Sequence, residues 1–258
     1  MEKPLTGYTI GITATHADEQ ISELSGLGAT CLHGPMFDQP GLLDSAAFVR
    51  TQQRWLGSDL SRAAYGLVSA VADHRVDAVV FTSATAIANF LAVADTSVGR
   101  DVLRQATQST TQLFALNPKL ACALSASGIG EAESPVLATI AGLLETVSLK
   151  LESSTTKLDV VGATLSLRGR EVRVDDNEPA MLARRERRVL ALLAARPGVV
   201  FSKASLLAEV WGGETLDPTV VDKTILRLRQ HLGAAGDAIE TVTRSGYRMR
   251  SLALSAAA

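Results

Sequence analysis

Two sets of side chains in this 258-residue sequence are spaced to do chemistry. One is a set of hydroxyls: Thr13 follows the run Tyr8–Ile12, and Thr82 and Ser83 follow the apolar run 77–81. Hydroxyls beside the free amides of a helix N-terminus suit a carboxylate or phosphate. Capping by Ser83 uses the same turn without any ligand. The other set is cationic. From Pro218 to Leu232, at about 100° per residue, Val221, Ile225, Leu228 and Leu232 form one apolar stripe. Thr219, Lys223, Leu226, Arg227 and Gln230 fall opposite. A helix that is polar and basic outside, and second in a helix-turn-helix pair, is built to enter a major groove. His16, His33, His74 and His231 share no metal-ligand spacing, and the chain holds neither a nucleophile elbow nor a phosphate-binding glycine loop. No catalytic residue, metal or cofactor is assigned.

The elements that must position these residues differ between the halves. In the first, short apolar runs alternate with amphipathic stretches: strands at 8–13, 29–35, 77–82 and about 119–124, and helices near 16–27, 60–72, 84–92, 98–106 and 135–150. The continuous run Ala78–Phe81 suits a strand buried on both faces of a parallel sheet. The expected fold is an α/β doubly wound parallel-sheet lobe, with ligands at the strand ends: Thr13–Thr15, Gly34-Pro35, Thr82-Ser83 and Ser125–Ser127. Residues 37–57 match no template. In the second half, 158–161, 163–168 and 171–175 alternate apolar and polar residues as a small antiparallel sheet. Helices follow at about 184–195, 203–211 and 218–232. The stretch 239–249 then forms a hairpin turning at Ser245-Gly246, with Arg244 and Arg248 at or beside its tip. This predicts an α+β winged helix-turn-helix domain.

Charge divides at the same place. Residues 1–150 carry 9 basic and 14 acidic residues, and residues from Pro179 onward carry 12 basic and 7 acidic. Such segregation points to two domains, the basic one suited to nucleic acid. The polar run 152–157 separates them, giving residues 1–150, a linker at 151–157, and 158–258. Two cysteines exclude a disulfide scaffold, and no stretch reaches the roughly 18 uncharged apolar residues of a membrane span. A cytoplasmic location without a membrane partner is expected.

The segments GYTIGIT, LSGLGATCLHGPMF and VADHRVDAVVFTSATAIANFLAVA resemble uroporphyrinogen-III synthase over residues 5–148. That resemblance implies a lobe of an enzyme that cyclises hydroxymethylbilane, and a tetrapyrrole-like or other small anionic ligand. In that family two lobes face each other across the substrate; here the inserted lobe is missing. Thr13-Ala14 stands where actinobacterial relatives show Thr-Arg, and Ala123-Leu124-Ser125 where they show a Val-Gly-Pro turn. Half a cleft cannot hold a flexible octacarboxylate in its cyclising geometry. The expectation is a degenerate sensing or dimerisation lobe, with a retained synthase as the alternative.

The segments LARRERRVLALLAARPGVVFSKASLLAEVWG, VVDKTILRLRQHLG and IETVTRSGYRM resemble the winged-helix DNA-binding domain of OmpR/PhoB-type response regulators over residues 157–250. The resemblance implies double-stranded DNA as partner and homodimers on repeated sites. It also implies base or phosphate contacts from Thr219, Lys223, Thr224, Arg227 and Arg229, with Arg244, Tyr247 and Arg248 around the wing. Ala183 replaces the usual Thr at the first helix, and Lys223-Thr224 replaces a hydrophobic-His pair. The helical wheel independently favours Lys223 and Arg227, and places Arg229 on the flank near a phosphate or Asp222. A phosphoreceiver in the first half is disfavoured, because its third strand ends in Thr82 rather than Asp. The whole chain reads as a transcriptional regulator.

Overall fold

The structure is a computed structural model, and it describes residues 3–36, 61–160, 163–212 and 217–250. The unplaced stretch 37–57 lies outside them. The chain divides into two compact units, Met1–Ser153 and Ser154–Ala258.

The first unit is a five-stranded parallel sheet. Its strands are β1 (Thr9–Ile12), β2 (Thr30–His33), β3 (Ala78–Phe81), β4 (Gln112–Ala115) and β5 (Ala132–Glu133), in spatial order β2-β1-β3-β4-β5. Successive strand residues point to opposite faces, and the sheet buries both. Ala78, Val80 and Phe114 face a core completed by α1 (Asp18–Gly26) and by α6 (Ile140–Ser153), through Leu24, Leu143, Val147 and Leu151. Val79, Phe81 and Leu113 face the other core, against α2 (Ser61–Ala72), α3 (Ala84–Thr96), α4 (Arg100–Ser109) and α5 (Pro118–Ala126). Phe81 and Phe90 meet edge to face at 5.2 Å in that layer. Helix α2 closes on His74, whose left-handed backbone (φ 55°) lets Arg75 N–H reach the Ala70 carbonyl.

Three expectations shift here. Residues 119–124 are helical, and the strand lies earlier at Gln112–Ala115. The reason is local: Asn117 caps α5 by accepting from Leu120 N–H at 3.0 Å, and Pro118 sits in the first turn where its missing N–H costs nothing. Ser125–Ser127 are therefore the end of a helix, and the turn following β4 is Leu116-Asn117-Pro118. The stretch 151–157 is mostly structured as well. Residues 151–153 complete α6, and Thr156-Lys157 open the next strand, leaving Ser154-Thr155 between them.

The second unit opens with an antiparallel sheet of β6 (Thr156–Val160), β7 (Ala163–Arg168), β8 (Glu171–Val174) and β9 (Ala180–Met181). Pairing Leu165 with Val174 and Leu167 with Val172 collects the apolar residues on one face. Helices α7 (Arg184–Ala195), α8 (Lys203–Trp211) and α9 (Thr219–Leu232) follow, then a 3₁₀ turn and the hairpin β10 (Ile239–Val242)–β11 (Gly246–Met249). One core joins them, with Val189, Leu193, Leu206, Ile225, Leu228 and Met249 all essentially inaccessible. Helix α7 begins without a side-chain cap at Ala183. The buried Glu186 compensates, accepting from Ala183 N–H at 2.8 Å. Among the described residues no helix is long and apolar enough to cross a membrane.

Candidate nucleic-acid interface

The α8–turn–α9 pair is set by its ends. Ser202 caps α8, accepting from Ser205 N–H at 3.0 Å, and Gly212 ends it in a left-handed conformation (φ 70°). Asp217 accepts from Thr219 N–H at 2.8 Å at the start of α9. That bond, and then the Thr219 hydroxyl, holds the Asp217 carboxyl below the usual range. The helix then sorts its residues by side. Val221, Ile225, Leu228 and Leu232 are buried; Thr219, Lys223, Leu226, Arg227 and Gln230 lie on the open side. The division follows the helical wheel.

Three contacts fix the angle at which that outer face is presented. Asp222, on the flank of α9, accepts from Lys203 Nζ of α8 at 2.8 Å and from the Tyr247 hydroxyl of β11 at 2.5 Å. One carboxylate thus ties both helices to the hairpin. The Lys203 bond, then the Tyr247 bond, holds the Asp222 carboxyl below its ordinary range; burial first, and the same bond second, pushes Tyr247 up to about 12. Arg229 donates from Nε to the Ile239 carbonyl at 3.1 Å and from a terminal nitrogen to Thr241 at 3.0 Å. Phe201 forms a single antiparallel β-bridge to the hairpin, exchanging backbone hydrogen bonds with Tyr247 at 2.8 and 2.9 Å. That approach requires glycine at 246: its φ is 137°, and a Cβ there would collide with the Phe201 carbonyl oxygen.

The residues implied by resemblance separate into two groups. Thr219, Lys223 and Arg227 lie exposed on α9, and Arg244 lies exposed at the hairpin tip with a left-handed backbone (φ 62°). Among the described residues, the Lys223, Arg227 and Arg244 side chains make no hydrogen bond or ion pair. The other four are engaged internally. Thr224 is buried and donates to the Val220 carbonyl at 2.8 Å, so it faces the core rather than a groove. Its wheel position, beside the stripe of Val221, Ile225 and Leu228, accounts for that. Tyr247 is buried against Asp222, Arg229 is tied to the hairpin, and Arg248 donates to Glu240 at 2.7 Å across the strand pair. These side chains position the surface. Sequence reasoning missed Lys203 and Asp222 as a link, because an ion pair across 19 residues leaves no local pattern.

The hydroxyls of the first unit also separate. Thr13 is buried and donates to the Val80 carbonyl at 2.8 Å, holding β1 to β3; it cannot meet a ligand. Ser83 accepts from Ala86 N–H at 3.1 Å as the cap of α3. Thr82 lines a cleft of about 410 Å³, shared with Ala14, Thr15, His16, Glu19 and Gln20. That cleft lies at the carboxyl ends of β1 and β3, where the strand order reverses and open α/β sheets place their ligands. Gln20 is 7% exposed, and its Oε1 finds no hydrogen-bond partner among the described residues. Nothing in the sequence marked Gln20, since orphaned amide groups are a tertiary property. Asp77, the carboxylate nearest β3 in sequence, sits at the opposite end and accepts from Thr9 N–H at 2.8 Å.

Sheet, three helices, helix-turn-helix and hairpin define the second unit as a winged helix-turn-helix domain. Residues 177–249 match the family described as "Transcriptional regulatory protein, C terminal", so this unit is a DNA-binding domain of the OmpR/PhoB type. The chain is 36% identical over 110 residues to a phosphate regulon transcriptional regulatory protein, PhoB, of Rhizobium meliloti, covering 42% of this chain and 45% of that protein. It is 32% identical over 102 residues to the heme response regulator HssR of Staphylococcus aureus, covering 38% and 45%. These matches span just under half the length of those relatives. A solved structure, the DNA-binding domain of Bacillus subtilis CssR, is 31% identical over 31% of this chain and 90% of that one, with a TM-score of 0.29.

Proposed function

We propose that the chain is a DNA-binding transcriptional regulator, located in the cytoplasm, that docks α9 in the major groove of double-stranded DNA and rests its hairpin on the flanking backbone. The observation that carries this is the outer face of α9, where Thr219, Lys223 and Arg227 stand exposed while every apolar residue of the stripe behind them is buried. Lys223 and Arg227 reach base edges or phosphates, and Arg244 reaches a phosphate beside the wing. Pairing of two chains on a repeated site is part of the same reading. The test is in vitro selection of duplexes with the full chain, followed by titration at several salt concentrations. A preferred sequence whose affinity falls linearly in log–log form with salt is expected. Failure to enrich any sequence, with no retention of duplex at low salt, overturns it.

The two units are read as separate domains, and the first as a degenerate uroporphyrinogen-III synthase-like lobe that senses a small anionic or tetrapyrrole-like ligand or mediates pairing. The segments resembling that family support it, and so does the cleft beside Thr82 with the unpartnered Gln20 oxygen. Incubating folded protein with fresh hydroxymethylbilane and separating the oxidised uroporphyrin isomers decides between a retired lobe and a working one. Isomer I alone is expected; isomer III above the spontaneous background would make the lobe a synthase.

A further inference from the structure

The outer face of α9 contains one residue that a solvated basic surface does not account for. Leu226 is 57% exposed, the only large exposed hydrophobic on that face among the described residues, and it borders the arc of Gln230, Lys223 and Arg227, which lie about 40°, 60° and 100° from it around the helix. At about 100° per residue it lies roughly 140° from Val221, well outside the buried stripe. It is one turn from Lys223 on one side and from Gln230 on the other, so any polymer that engages those residues covers Leu226 too. Its partner must therefore offer negative charge for Lys223 and Arg227 and, beside the charges, an apolar spot the size of a methyl group. In the major groove the thymine 5-methyl is the one apolar group on the base edges.

We propose that Leu226 reads a thymine methyl in the operator and sets specificity at that base pair. The inference rests on the DNA-binding reading of α9. Burying one methyl group against an aliphatic side chain is worth about 0.8 kcal/mol, or about fourfold in affinity. Bases facing Lys223 or Arg227 gain nothing comparable from a methyl.

The experiment replaces each thymine of the selected duplex, one at a time, with uracil, which deletes only the methyl. Binding of the full chain is then measured alongside the Leu226→Ala variant. Alanine keeps the exposed helix position favourable, and the variant's circular dichroism and melting confirm its fold. The expected result is one uracil position per half-site that weakens the native chain about fourfold, with no further loss in Leu226→Ala. Equal binding of all uracil duplexes by the native chain overturns the proposal while leaving DNA binding intact. So does a variant that still discriminates uracil from thymine at that position. A native chain that binds no duplex overturns the DNA-binding reading, and this inference with it.

Discussion

The carboxyl edge of the parallel sheet and the outer face of α9 both carry polar residues, and the structure uses them in opposite ways. At the sheet edge the hydroxyls of Thr13 and Ser83 are taken up by a neighbouring strand and by a helix cap. On α9 the side chains of Lys223 and Arg227 point outward, while Asp222 and Arg229 on the flank, with Tyr247 of the hairpin, do the holding. A recognition surface needs this division of labour. Residues that meet a partner must be free, and a separate set must fix their direction. Among the described residues, the cleft at the sheet edge gathers Thr82 and Gln20 with Thr15, His16 and Glu19.

Substitutions can break this comparison at either end. The largest effect is expected behind the free surface: Leu228→Ala, at a fully buried position, should destabilise the second unit by about 2–5 kcal/mol, read from urea unfolding. Arg227→Ala, one residue away, should leave the melting unchanged and weaken operator binding by about 1–3 kcal/mol. An unchanged affinity would move the recognition face elsewhere. Asp222→Asn should cost about 1 kcal/mol of stability, since its partners are partly exposed and solvent screens the ion pair. Its carboxyl is held below the ordinary range, so the native contribution is present at neutral pH and disappears as pH falls through the depressed value. Native and Asp222→Asn proteins should therefore converge in stability under acid; a constant gap down to that pH contradicts the assignment.

The smaller effects come from hydroxyls already engaged within the fold. Ser83→Ala should destabilise the first unit by about 1 kcal/mol through loss of a helix cap, read from its thermal unfolding. Thr224→Val exchanges one buried hydroxyl for a methyl and should leave DNA affinity within about 0.5 kcal/mol of native. A Thr224→Val variant that loses DNA binding while folding normally would return this residue to the interface.

How much is legible in the sequence depends on range. Both faces of α9 can be read from the chain, because a 3.6-residue period is a local property and its apolar stripe is unbroken. The strand Ala78–Phe81 is legible because burial on both faces leaves an uninterrupted apolar run. Residues 118–126 are harder: their apolar content suggests a strand, and the Asn117-Pro118 start signal that outweighs it is only two residues long. Thr224 is misplaced when a family position is carried over to a helix that turns this residue inward.

The sequence by itself determined the alternation of elements in each half, the segregation of charge, and which side of α9 is polar, because these follow from periodicities of two and 3.6 residues and from composition. Tertiary structure alone decided which of the polar residues are free. Lys203, Asp222 and Tyr247 meet from three elements, Arg229 turns to the hairpin, and Thr13 reaches across to β3. Each of those hydrogen bonds joins residues far apart in the chain. A donor and an acceptor of the right type are common in any sequence, and only the packed backbone brings a particular pair within about 3 Å.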